Sequence, residues 1–243
     1  MDKSTIVIII IALLIVGLYA ANEVTYFSHK LITENDMNNP VVVCEKIGLH
    51  EKINNNSISE GVYHERKSYN PGEGDVILFG HRTLLGSPFL RLNELNPGDI
   101  ITLQWPGIGE VNYTVYNKTV VPATYRPIIS SDTQTLSLIT CTPIGTTEKR
   151  LIIKANYTSK GPLNQYVIKD NPQSNYGIYI IIGFILLGLI VTFLSPKSER
   201  KFIGTCVILI TLFLVYCHIN PGPVNEFTSK IEFLNQIFTL GIG

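Results

Sequence analysis

The chain has 243 residues, 45% hydrophobic and only 16% charged, with 19 Lys+Arg balanced by 19 Asp+Glu. Soluble domains carry about 25% charged residues, so part of this chain is not built for water. A net charge of zero argues against a nucleic-acid binder, which would show a basic excess or a basic stripe. Four cysteines in a chain of this length exclude a disulfide scaffold, and there is no CxxC or His/Cys cluster with zinc-ligand spacing.

The apolar residues lie in three blocks, 5–21, 176–194 and 202–219, none holding a Lys, Arg, Asp or Glu. Each approaches the ~20 residues that cross a bilayer's hydrocarbon core at 1.5 Å per residue. The first could also be a cleavable signal peptide, but its apolar run is long and Leu18-Tyr19-Ala20-Ala21 is a poor cleavage site. Blocks two and three flank 195–201, where Lys197, Arg200 and Lys201 face one Glu199. The positive-inside rule makes that loop cytoplasmic. Two crossings then put segment 22–175 and tail 220–243 outside, and Lys3 inside. The expected organisation is an anchor over 1–21, an exterior domain over 22–160 and a linker over 161–175. A helix over 176–194, the basic loop 195–201, a helix over 202–219 and the exterior tail follow. The protein is thus expected to be a multi-pass protein of the cell membrane, in contact with lipid.

The exterior segment has 14 cations and 15 anions, a normally charged globule of single-domain size. Alternating polar and apolar residues predict strands over 40–49, 75–79, 99–104, 111–119, 135–141 and 150–157. Turn residues separate them, as in Asn70-Pro71-Gly72 and Asn96-Pro97-Gly98-Asp99. A short helical stretch is expected over 87–95. Many short strands at this spacing mean an antiparallel sandwich or a barrel, and the pattern does not choose between them. Asn55, Asn112, Asn117 and Asn156 each open an N-x-S/T sequon. In the tail, Phe227, Ile231, Leu234 and Phe238 fall on one helical face.

Three stretches carry chemistry-bearing side chains. His81 follows the apolar run Val76-Ile77-Leu78-Phe79 and Gly80. A histidine at a strand exit can exchange protons near pH 6.5. Cys141 ends a strand between Thr140 and Thr142, a partly polar setting, whereas Cys44 lies in Val41-Val42-Val43-Cys44 and reads as inert packing. Arg150 heads the strand Arg150-Leu151-Ile152-Ile153. If strands 135–141 and 150–157 are neighbours, the intervening loop returns its guanidinium to the thiol, where it could hold a carbonyl or an oxyanion. Taken singly, each has an ordinary reading as a surface or packing residue.

Taken together, Gly80-His81-Arg82, Ile139-Thr140-Cys141-Thr142-Pro143 and Arg150 resemble a sortase. The stretches Asn70-Pro71-Gly72 to Arg82 and Phe89 to Asp99 are similar to the family's segments before and after its histidine. Leu136-Ser137-Leu138-Ile139-Thr140-Cys141 resembles the TLxTC signature. The resemblance covers about residues 40–157 and is closest to class C, D and E members.

What it implies is a mainly β fold: a closed barrel of about eight strands with short helices, here joined to three transmembrane helices. Cys141 would be the nucleophile, His81 its acid/base partner and Arg150 the substrate and oxyanion clamp, with Thr140 lining the substrate groove. The implied reaction cleaves an LPxTG-like sorting signal through a Cys thioester. An amine of the cell envelope or of a pilin-like subunit then takes the acyl group, attaching surface proteins to the envelope or to each other. The resemblance suggests that the active thiolate–imidazolium pair is a minority state. No cofactor or metal is implied, since 120–134 holds only Asp132 where calcium-stimulated members have an acidic cluster. Segment 26–39 lacks the lid of class C members, and the second C-terminal span is also unusual. The competing readings are a tethered cysteine peptidase that uses water, and a non-enzymatic surface β-domain.

Overall fold

The computed structural model describes residues 3–33, 39–83 and 85–222. It divides into two compact units, one built on the apolar helices and one on the sheet.

The helical unit contains α1 (Lys3–Thr33), α3 (Tyr176–Leu194) and α4 (Arg200–Ile219). The spans Ser4–Leu31, Tyr176–Leu194 and Arg200–Ile219 are long and apolar enough to cross a membrane. α1 continues well past residue 21, where the uninterrupted apolar run ends. No proline or glycine interrupts residues 22–33. Ala21 and Val24 join a cluster with Ile181, Phe184, Val207 and Leu214. Small residues make the helices close-packed: a Cβ on Gly17 would lie 2.6 Å from Ile210, and one on Gly188 would meet Val207. Ser28 Oγ and His218 Nδ1 are 2.8 Å apart beside Gly177. Arg200 caps the end of α3 through the carbonyls of Phe193 and Ser195.

The other unit is an eight-stranded closed barrel. Its strands are β1 (Val41–Cys44), β2 (Leu49–Asn54), β3 (Val62–His64), β4 (Val76–Phe79), β5 (Ile100–Trp105), β6 (Gly109–Pro122), β7 (Thr135–Thr142) and β8 (Lys149–Gly161). The order around the barrel is β1-β2-β3-β4-β7-β8-β6-β5, which selects barrel over sandwich. Most pairs are antiparallel, but β2–β3 and β4–β7 are parallel. Alternate residues fill the interior, among them Leu78, Leu103, Tyr113, Leu136, Leu138, Leu151 and Ile153.

Several elements depart from the pattern reading. The run 40–49 is not one strand: after Cys44 a 3₁₀ turn over Glu45–Ile47 closes on Gly48, at φ 65°, and the chain returns as β2. A left-handed residue is needed there, which glycine supplies without strain. β3, three residues long, carries too few alternations to be seen. β6 and β8 are longer than expected, and two register shifts in their pairing, one skipping Thr158 in β8 and one skipping Tyr116 in β6, interrupt the period of each. Over 87–95 there is only a 3₁₀ turn, Leu92–Glu94, yet Phe89, Leu92 and Leu95 are all fully buried. The linker contains a short helix, α2 (Gln165–Lys169), capped by Asn164 and seated on Ile168. The amphipathic tail 227–238 lies outside the described residues.

Candidate active site

The parallel pairing of β4 with β7 aligns Phe79 with Ile139, so both strands end at the same edge of the barrel. One chain continues into Gly80-His81, the other into Thr140-Cys141. Gly80 N–H donates to Ile139 O (3.2 Å), extending the ladder to the histidine. β8 returns antiparallel with Arg150 in register opposite Cys141. Directly paired residues project to the same face, so the guanidinium and the thiol share one side of the sheet.

That side is the outer one. Leu136 and Leu138 point into the barrel core, whereas Ile139 joins Ile77 and Ile152 in a second apolar cluster outside it. Segment 123–134, between β6 and β7, covers this cluster with Tyr125 and Ile129. Between sheet and segment lies a cavity of about 680 Å³. His81, Cys141 and Arg150 all line it, with Phe79, Ile139, Tyr125, Pro127 and Ile129 supplying apolar walls and Glu65, Lys67 and Arg126 supplying charge.

Cys141 is partly exposed, whereas Cys44 is buried, its thiol donating to Ile100 O (3.3 Å), and burial pushes its pKa up. Of these two thiols, Cys141 is the one a solute can reach. Burial also pulls the His81 pKa down, and His81 Nε2 has no hydrogen-bond partner among the described residues. Burial thus favours the neutral ring over the charged one. Arg150 Nη1 donates to Thr147 O (2.9 Å) and Lys149 O (3.2 Å), leaving Nε and Nη2 for another acceptor.

Thr140 also lines the cavity, as a buried residue. It is 3% exposed, and its hydroxyl donates to Gly80 O (2.7 Å). Strand alternation explains this: the neighbour of an outward Cys141 faces inward. Thr140 therefore locks the cysteine strand to the residue before the histidine.

Arg82 was not singled out by motif reasoning, yet it is 6% exposed and spans the site's two halves. Its Nη1 donates to Thr142 Oγ1 (3.0 Å), Nη2 to Asn93 Oδ1 (2.6 Å) and Nε to Leu90 O (3.3 Å). Nη1 also approaches Cys141 O at 3.5 Å. Every acceptor is neutral. The segment after the histidine is thereby tied to the residue after the cysteine. A cation immediately following the histidine was the only sequence signal.

The family model described as "Sortase domain" matches residues 32–158, just over half of the chain. The chain belongs to the sortase family. Its members are cysteine transpeptidases, and the closed barrel with short helices agrees with that fold. Among solved structures, the chain is similar to a sortase D5 transpeptidase of Clostridium perfringens, at 24% identity and TM-score 0.45, covering 50% of this chain and 79% of that one. It is also similar to sortase C-1 of Actinomyces oris, at 26% identity and TM-score 0.43, covering 49% and 71%. A lid mutant of sortase A from Corynebacterium diphtheriae gives 24% identity and TM-score 0.46, covering 51% and 72%. No curated protein matches the chain.

Proposed function

We propose that this sortase is a membrane-anchored transpeptidase in which Cys141 is the nucleophile, His81 the proton carrier and Arg150 the oxyanion clamp. The observation that carries the reading is the convergence of the three on one apolar-walled cavity, with Cys141 and Arg150 in strand register. The cavity accepts an extended peptide of the LPxTG type. Cys141 Sγ attacks the carbonyl carbon of the scissile bond, and Arg150 donates to the developing oxyanion. The leaving amine takes a proton from His81 as the C–N bond breaks, giving a thioester. An incoming amine then attacks the thioester and yields its proton to His81. The thiolate departs, and splitting the exchange in two lowers each barrier.

The imidazolium–thiolate pair is the form that can react. Burial of His81 disfavours its charged state, so this pair is a small fraction of the resting enzyme. The three apolar helices anchor the barrel in the membrane. The cations of Lys197, Arg200 and Lys201 orient it with the barrel and the tail 220–243 outside. Tethering to the membrane that holds the substrate's own tail raises the local substrate concentration without new contacts.

The test uses the full chain in detergent, an LPxTG-type peptide and a primary amine. A peptide thioester on Cys141, followed by the aminolysis product, is the expected mass-spectrometric result. Hydrolysis alone in the presence of amine would identify a peptidase, and no adduct at any peptide concentration would point to a non-enzymatic surface domain.

A further inference from the structure

The wall of the cavity is an irregular segment. Residues 123–134 contain no helix or strand, yet Ala123, Tyr125, Arg126, Pro127 and Ile129 form one side of the groove. An irregular wall can define a groove only if something outside it fixes its position. At its start, Ala123 N–H donates to Glu148 O (3.3 Å). At its end, the holding contacts converge on Asp75, the residue immediately before β4.

Asp75 is 8% exposed. Its Oδ2 accepts Ser130 N–H (3.0 Å). Its Oδ1 accepts the Thr133 hydroxyl (2.6 Å), the Thr135 hydroxyl (2.7 Å) and Thr135 N–H (3.3 Å). Asp75 N–H donates to Ser130 O (3.0 Å), so backbone and side chain grip the same residue. Gly74 permits the approach, because a Cβ there would lie 2.9 Å from Ser130 O and 2.6 Å from the Tyr69 ring. All four groups facing the carboxylate are donors, an arrangement matched by a side chain with two acceptor oxygens.

We infer that Asp75 is a positioning residue for substrate specificity, holding segment 123–134 at the aperture that admits the peptide. It touches neither Cys141 nor His81 through any hydrogen bond. It stands immediately before the strand that leads into the histidine, and it grips the segment whose other half lines the groove. β4 is thus flanked by the site's proton carrier, two residues beyond one end, and by the anchor of the groove wall, immediately before the other. The inference deepens the transpeptidase reading and rests on it for its kinetic consequence.

The substitutions form a graded series. Asp75→Asn can keep Oδ1 in place with its three bonds, but turns an N–H₂ toward Ser130 N–H. Asp75→Ala loses all four. Thr133→Val removes one donor from the segment's side and leaves β4 intact, which guards against a variant that fails to fold. Full-length enzyme in detergent is followed by hydrogen exchange, by peptide kinetics and by the rate at which a small thiol reagent labels Cys141. Exchange across 123–134 is expected to accelerate in the order Thr133→Val, Asp75→Asn, Asp75→Ala, reaching roughly a hundredfold, with β7 and β8 protected as before. KM for the peptide rises in the same order, by about tenfold at Asp75→Ala, while kcat and the small-reagent labelling rate hold. The inference is overturned if segment exchange is unchanged, if it accelerates without a change in KM, or if protection falls equally in β7 and β8. If the wild-type enzyme forms no thioester at all, the transpeptidase reading fails, and the exchange series still decides whether Asp75 is the anchor.

Discussion

Replacing Arg82 with methionine should uncouple the two halves of the site while leaving the fold closed. Methionine keeps an unbranched stem that fills the buried path but supplies no donor. The structure counts three lost bonds, to Asn93 Oδ1, Thr142 Oγ1 and Leu90 O. The 3.5 Å approach to Cys141 O is at the limit and contributes little. Bonds from a charged donor contribute about 1.5–3 kcal/mol each, and removing the donor also strands partly buried acceptors. Against this stands the release of a buried cation that has no carboxylate beside it, which returns several kcal/mol. The balance is a destabilisation of about 3 kcal/mol. At roughly 3–4 °C per kcal/mol for a domain of this size, the barrel should melt ~10 °C earlier. The assay is already built in. The single tryptophan, Trp105, is 9% exposed within the barrel core, so its fluorescence reports barrel melting in the full chain apart from the helices. Thioester formation should slow at least ~30-fold, because the ends carrying His81 and Cys141 lose their shared tie. Arg82→Lys, with one compact head in place of the fork, should recover only part of either effect. A melting shift under about 2 °C with an unchanged acylation rate would refute the reasoning.

Thr140→Val keeps volume and removes the bond to Gly80 O; about 1–2 kcal/mol of stability and most of the kcat should go, with KM nearly unchanged, as checked by melting and steady-state kinetics. Barrel stability should also depend on pH through His81 and His64, whose pKa values burial holds below 6.5. The folded state prefers both rings neutral, so their contribution is complete above pH 6.5 and is lost as pH falls toward the folded values. Trp105 melting should therefore decline from pH 7 to pH 5, and His81→Gln should flatten part of that slope.

The residues of the site were more legible than their mutual arrangement. Cys141 and Arg150 could be paired from sequence because a short loop joins two alternating strands, and the register bears this out. The parallel β4–β7 contact could not be read, since it joins strands separated by two others in the chain and leaves no local period. Thr140 shows a different limit. The resemblance gave Thr140 a place in the substrate groove, and the residue does line the cavity, but its burial between the two strands follows from strand parity, which sends adjacent residues to opposite faces. β3 and the turn over Glu45–Ile47 escaped because elements of three residues carry no periodicity. Asp75 and Arg82 were invisible as anchors because each ties its own segment to a distant one, Asp75 to Ser130, 55 residues on, and Arg82 to Thr142, 60 residues on. The anchor's end at residue 21 was drawn where apolarity stopped, but α1 runs on to Thr33 because its next turns still bury Val24, Tyr26 and Phe27.

The parallel pairing of β4 with β7 has a consequence in time. His81 is synthesised early, but its ladder partner Ile139 and the facing Arg150 come tens of residues later. Only after β5 and β6 have passed can β7 slot beside β4, and only after β8 does the guanidinium arrive. A nascent chain that has not yet produced residue 150 holds His81 and Cys141 but lacks β8, the strand that faces the thiol and closes the barrel. Closure of the barrel is therefore also the step that brings His81, Cys141 and Arg150 onto one cavity.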